Sequence, residues 1–172
     1  MPVNTLSFVE RQVRTTSWER RWFFLSRFVE AEHTFLEPAI DGRPLREWVR
    51  EWEGVDEPPE ESTLLSAFDP ELAVEQLDRL LGDKPNQFGD RAWLLFCKVC
   101  FDEGCGGLTA DISRAGGRVT WSNFGWDTDY VTEDEEPARY NASFSFDEAA
   151  YDRLLAEARE HFKVPLFEDK LG

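Results

Sequence analysis

Residues 93–126 read WLLFCKVCFDEGCGGLTADISRAGGRVTWSNFGW. The reading of this stretch decides the fold. It holds all three cysteines and three of the seven tryptophans. Its pattern predicts three short antiparallel strands. Trp93, Leu95, Cys97, Val99 and Phe101 share one face at period two, and Ala92, Leu94, Phe96 and Cys100 share the other, interrupted by Lys98. A strand apolar on both faces is expected to be central and covered on both sides. Leu108 to Ser113 alternates, so one of its faces should be solvated. Ala115-Gly116-Gly117-Arg118 supplies a tight turn, because glycine takes positive φ at little steric cost. Val119 to Ser122 then returns, completing a meander.

Working outward, the chain has 172 residues, 41% hydrophobic and 14% aromatic. That is enough for a core and predicts one domain over residues 1–172, burying about 70% of the surface of the unfolded chain. No apolar run approaches the roughly 20 residues needed to span a bilayer. The opening MPVNTLSFVERQVRTT lacks a charged-then-apolar signal pattern. Three cysteines, an odd number, argue against a secreted disulfide framework. The expectation is a cytoplasmic protein. Net charge is −16. Residues 1–50 are close to neutral, so the acidity belongs to the last two-thirds. Such a field repels nucleic acid and anionic membrane and speeds encounter with basic partners. It also serves solubility alone.

Around the meander the pattern predicts strands near residues 3–13, 22–29 and 34–40. A hairpin would turn across Thr15 to Arg21, and Pro38 would mark an edge. Asp41-Gly42 signals a turn, followed by a short helix from Leu45 to Trp52 behind Pro44. Residues 54–61 form an acidic, proline-bearing loop. Asp69-Pro70 starts a second helix that Gly82 ends near Leu81, with Leu72, Leu77, Leu80 and Leu81 as its apolar face. Residues 127–136 are crowded with carboxylates and read as a loop. A strand over Asn141–Phe146 leads into a last helix, about Asp147 to Phe162. Ser145-x-x-Glu148 has the capping-box pattern, and Ala150, Leu154, Ala158 and Phe162 lie near one stripe, with Tyr151 and Leu155 beside them. The fold class is therefore α+β: antiparallel sheet, central three-stranded meander, about three packing helices.

Chemistry has few candidates. Cys97-x2-Cys100-x4-Cys105 resembles part of a zinc site. Residues three apart on an extended strand point to opposite faces, so Cys97 and Cys100 converge only if the strand breaks. Lys98 and Val99 replace the small residues usual between such cysteines. A fourth ligand would be His33 or His161, since structural zinc takes four. On the simpler reading Cys97 is a core residue, and Cys100 and Cys105 are neighbours across a turn, where a reversible disulfide is geometrically allowed. No catalytic residue is assigned: no Gly-x-Ser-x-Gly, Walker or dinucleotide-binding glycine pattern occurs. Asp102 and Glu103 in the cysteine turn, with Asp127 and Asp129 after Trp126, could meet at one end of the sheet and bind a cation or act as acid and base. A solvated acidic rim explains them as well. Trp18 and Trp126 fall in predicted loops, and exposed aromatics often anchor partners.

The stretch from Leu94 to Leu155 resembles an uncharacterised family of small, mainly actinobacterial proteins. The matching residues are Cys100 and Cys105 of a C-x4-C turn and Gly116/Gly117 through Val119, Trp121, Ser122 and Phe124. Phe144, Phe146, Asp147 and Tyr151 continue the match, and the Ile40–Leu45 turn is also similar. The family pattern has a further cysteine from which Cys97 is displaced by one residue. The resemblance implies no activity, cofactor or metal.

The leading expectation is a non-enzymatic acidic interaction protein, of the immunity or inhibitor type. It would engage a basic protein through Trp126, Asp127, Asp129, Asp102 and Glu103, without cofactor, metal, nucleic acid or membrane. The alternatives are a metal-binding or redox-responsive protein using Cys100 and Cys105, and a carboxylate-dependent hydrolase.

Overall fold

The apolar patterning resolves into two antiparallel sheets and three helices, an α+β fold, in a computed structural model that describes residues 2–22, 25–86, 89–128 and 139–163. The first sheet is a long hairpin, β1 (Leu6–Trp22) against β2 (Leu25–Ile40), extended by the two-residue β3 (Arg43–Pro44). The second has the order β4 (Ala92–Phe96), β5 (Gly107–Ala115), β6 (Arg118–Asp127) and β7 (Arg139–Asp147). The helices are α1 (Leu45–Glu53), α2 (Pro70–Leu81) and α3 (Glu148–Lys163).

The meander is present, with two corrections. β4 is buried at every position, as a doubly apolar strand should be, but it ends at Phe96 rather than Phe101. β5 does not alternate over its first half: Gly107 to Ala110 are all buried, and only the second half opens to solvent. Leu108 and Ala110 of that half share the main core with Ile40 of the first sheet and with buried residues of all three helices. Gly116 and Gly117 carry φ of 59° and 74°, as the tight turn requires.

The first hairpin is longer than its sequence suggests. Thr15 to Arg21, read as a turn, continue β1; Thr15 pairs with Ala31 and Arg20 with Ser26. Trp18 accordingly sits in a strand opposite Phe28. Residues 34–40 belong to the same β2. Pro38 does not mark an edge strand: β2 lies between β1 and β3. Proline is tolerated there because the Leu36 N–H turns away from β1 to Leu65 and, two residues on, the nitrogen of Pro38 faces the same way, so no β1–β2 bond is lost.

A buried run, Ser62 to Ser66, joins the two sheets. Ser62 and Phe96 exchange both backbone bonds, 2.9 and 2.7 Å, and Leu36 N–H reaches Leu65 at 2.8 Å. Thr63 and Ser66 hydroxyls donate to the carbonyls of Leu36 and Thr34. At the other end Asn4 bridges to β7, its N–H donating to Ser145 at 2.7 Å and its side chain accepting from Ser145 at 3.0 Å.

Helix ends follow local chemistry. Asp69 accepts from the Leu72 N–H at 3.1 Å, and Gly82, at φ 87°, closes α2. The cap of α3 is Asp147, which accepts from Ala150 N–H at 2.9 Å, and not the predicted Ser145–Glu148 box. The buried faces keep part of each expected stripe and lose its first residue. α2 buries Ala73, Gln76, Leu77 and Leu80 while Leu72 is exposed; α3 buries Tyr151, Leu155, Ala158 and Phe162 while Ala150 is exposed. α2 and α3 pack against each other, and both faces share one core with the second sheet. Trp121 donates to the Tyr151 hydroxyl at 3.2 Å, which donates to the Leu80 carbonyl at 3.0 Å. That relay ties β6, α3 and the end of α2 together.

Candidate functional site

The connection from β4 to β5 carries the most concentrated chemistry. Once β4 stops at Phe96, the chain leaves the extended conformation, and the opposite-face argument against Cys97 and Cys100 lapses. Phe101 N–H bonds back to the Cys97 carbonyl at 2.8 Å, closing a turn. Phe101 itself has φ 52°, a left-handed conformation that costs a bulky residue about 1–3 kcal/mol. Its ring stacks on Phe35 at 5.6 Å, beside the small cluster of Leu64, Trp93 and Phe96, which holds the residue in place. Asp102 then accepts from Gly104 N–H at 2.7 Å, and Glu103–Cys105 make one 3-10 turn.

Two glycines return the chain to β5. Gly106 has φ 87° and lies against Asp127 and Thr128. Gly107 is required by space instead. A Cβ there would overlap the Leu95 carbonyl and meet the Trp93 ring at 3.1 Å. The start of the turn is fixed by the Ser62–Phe96 bonds and by an ion pair between Lys98 and Glu60.

The result is a cluster of three free thiols. The sulfurs of Cys97, Cys100 and Cys105 all lie within 4.8 Å of one another, and among the described residues this is the group of His, Cys, Asp and Glu side chains close enough to share an ion. Cys100 and Cys105 are exposed with their sulfurs 3.1 Å apart; Cys97 is half-buried, not a core residue. Burial pushes the Cys97 thiol up. The backbone N–H groups of Cys100 and Val99, with the thiols of Cys100 and Cys105, pull it further down, so it ionises below the ordinary thiol range. Cys105 is pushed up to about 11, chiefly by its hydrogen bond with Cys100 and by charge on that sulfur. One negative charge is therefore easy to place on the cluster and a second is resisted, which is the electrostatic demand that a cation satisfies.

The predicted carboxylates behave differently. Asp102 is exposed and turned into its own loop, and the Glu103 backbone belongs to the 3-10 turn. Asp127 lies in β6 opposite Gly107, at the same end of the sheet as the cysteine turn. Its carboxylate is already held by Arg91 at 2.8 Å, Arg139 at 2.7 Å and the Thr109 hydroxyl at 2.5 Å. Burial alone would raise its pKa, but those bonds and the two guanidinium charges bring it below the carboxylate norm. Arg91 also reaches Asp111 at 2.6 Å and the Asn123 carbonyl, clasping the bulge where Asn123 takes φ 54°. Asp129 lies outside the described residues. Trp126 is in β6 rather than a loop, half-buried, and its indole N–H donates to Glu53 at 2.7 Å. Tyr140 donates to the same oxygen at 2.6 Å.

His33 packs its ring against Phe68 at 4.5 Å, and His161 lies in the last turn of α3 against Phe162. Neither joins the thiol group. Beside the thiols, Leu64, Leu72, Arg79, Phe96, Cys100, Phe101 and Asp102 line a cleft of about 150 Å³. No protein-family model, curated protein or solved structure matches this chain.

Proposed function

We propose that this protein binds a soft or borderline metal ion, zinc in the first instance, through Cys97, Cys100 and Cys105. The observation that carries the reading is the convergence of three free sulfurs within 4.8 Å on one braced turn. The spacing suits the ion. Zinc–sulfur bonds of 2.3 Å in a tetrahedron set sulfurs about 3.8 Å apart, so the Cys100–Cys105 pair at 3.1 Å opens by about 0.7 Å on loading. Thiolate donors select zinc, copper(I) or iron over magnesium or calcium. Three protein ligands leave the fourth position to water or an external donor, as in zinc sites that exchange ligands. A reducing, cytoplasmic setting keeps such thiols free. Native mass spectrometry of the chelator-treated chain against added zinc tests this. One equivalent should bind wild type, and each of Cys97→Ser, Cys100→Ser and Cys105→Ser should bind more weakly. Equal binding by all four proteins would refute it.

A second reading, an acidic surface that engages a basic protein, is supported by apolar side chains left in water. Val99, between two of the thiols, is 64% exposed and Phe68 62%. Aromatic residues such as Phe68 are enriched where proteins meet. On this reading the anchors are Val99 and Phe68 rather than Trp126, whose indole is committed to Glu53. Pull-down by a basic partner that Val99→Ser and Phe68→Ser leave undiminished would remove it.

A further inference from the structure

We propose that a hydroperoxide joins Cys100 and Cys105 in a reversible disulfide, and that this step releases the metal ion from the three-thiol centre. The second half rests on the metal-binding reading above; the first half does not.

The geometry singles out this pair. Their sulfurs are 3.1 Å apart, between the 2.05 Å of a covalent S–S bond and the roughly 3.8 Å edge of a loaded zinc tetrahedron. A shift of about 1 Å in either direction reaches one state or the other. Both residues are exposed, so an oxidant reaches them; Cys97, though the more readily ionised, is half-buried, and the selection of the pair rests on access and on their 3.1 Å separation. The six residues from Cys100 to Cys105 form a short loop bounded by left-handed residues, Phe101 at φ 52° and Gly106 at φ 87°. The change can thus stay local, with β4 and β5 held by their own ladder.

The chemistry balances. One of the two sulfurs, as its thiolate, attacks the peroxide O–O bond and takes one oxygen, giving a sulfenic acid; the displaced oxygen takes up the proton the thiol gave up and leaves as an alcohol, or as water from hydrogen peroxide. The second thiol displaces the hydroxyl from the sulfenic sulfur, forming S–S and releasing water. Two thiols and ROOH become a disulfide, ROH and H₂O. Two of three ligands are consumed, and a thiol reductant restores them. Zinc in place would slow the first step, since the cation draws negative charge from the sulfurs that must attack the peroxide.

The tryptic map makes the test direct. Cys100 and Cys105 share the peptide of residues 99–114, and Cys97 lies alone on residues 92–98. The full chain is stripped with chelator, treated with hydrogen peroxide, alkylated and digested. The expected product is peptide 99–114 lighter by two hydrogens and unalkylated, with Cys97 alkylated on its own peptide. Dithiothreitol should reverse it. A cross-link between the two peptides, or stable sulfinic acid without S–S, would overturn the pairing. In parallel, zinc-loaded protein is treated with peroxide beside a chromophoric chelator. Zinc affinity should fall by more than the roughly 10–100-fold that losing a mere outer partner costs. Disulfide formation in a chain that never bound zinc refutes the metal reading and leaves the pairing standing. Zinc bound but retained after the disulfide forms overturns the release step. Cys97→Ser should keep the disulfide and lose zinc affinity, which separates the two roles.

Discussion

Gly107→Ala links the fold to the thiol centre most tightly. Gly107 is buried where β5 begins and pairs with Phe96 on one side and Asp127 on the other. Its φ is not left-handed, so alanine is conformationally allowed, and by chain entropy alone the change would stabilise by about 0.4–1 kcal/mol. The obstacle is space. The new Cβ overlaps the Leu95 carbonyl oxygen, which is backbone and cannot rotate away, and meets the Trp93 ring at 3.1 Å. Overpacking costs about 1–3 kcal/mol, and an immovable partner puts this case near 3. For a chain of this size that lowers Tm by about 6–12 °C. Relief requires β5 to move off β4, which carries Cys105 away from Cys97 and Cys100. Thermal unfolding and zinc titration of the variant should therefore both worsen. An unchanged or raised Tm with unchanged zinc affinity would refute the claim that the Gly107–Leu95 approach sets the spacing of the thiols.

Tyr151→Phe should cost about 2–4 kcal/mol by urea unfolding, because it leaves the buried Trp121 N–H and the Leu80 carbonyl at the end of α2 both unpaired. A loss below 1 kcal/mol would mean that water or a neighbour replaces the hydroxyl. Glu37 gives a pH signature. It is 2% exposed, accepts from Arg46 N–H at 3.1 Å and lies 3.5 and 3.7 Å from the guanidinium groups of Arg46 and Arg11. Burial raises its pKa above 4.5, and that N–H bond and the two arginines reverse only part of the rise. A raised carboxyl favours folding while protonated. Its contribution is full below the unfolded value and is lost as pH climbs through the folded one. The stability of wild type relative to Glu37→Gln should therefore fall, in urea midpoints, as pH rises from the ordinary glutamate range of about 4.3 through the raised folded value. A rise over that window would show that the arginines outweigh burial.

Much of this architecture is legible in the sequence where the signal is local. The doubly apolar run at Ala92–Phe96, the Gly116-Gly117 turn and the Asp69-Pro70 start with its Gly82 stop each state their own conformation. What escapes is set by distant partners. No pattern in the sequence singles out Ser62 to Ser66, and they are buried because β2 and β4 accept and donate on either side of them. Thr15 to Arg21 look like a turn but continue a strand whose complement is β2. Leu72 looks like core, yet α2 turns Ala73, Leu77 and Leu80 to the core beside α3 and leaves it outward. The thiol centre was half visible. The spacing of Cys97, Cys100 and Cys105 invites a metal, and an extended strand through Phe101 forbids one. The decision rests on where β4 ends, and nothing between Phe96 and Phe101 in the sequence marks that end. It is made by Ser62, which pairs with Phe96, and by Phe35, which receives the Phe101 ring. The acidic character was legible in amount but not in arrangement: Asp127 is committed to two arginines rather than presented to a partner.

X-ray absorption at the zinc edge of the reconstituted full chain tests the central claim most directly. The account predicts three sulfur neighbours at about 2.3 Å and one lighter atom at about 2.0–2.2 Å per zinc. A shell of oxygen and nitrogen alone, or no zinc retained after gel filtration of the reduced protein, would contradict it.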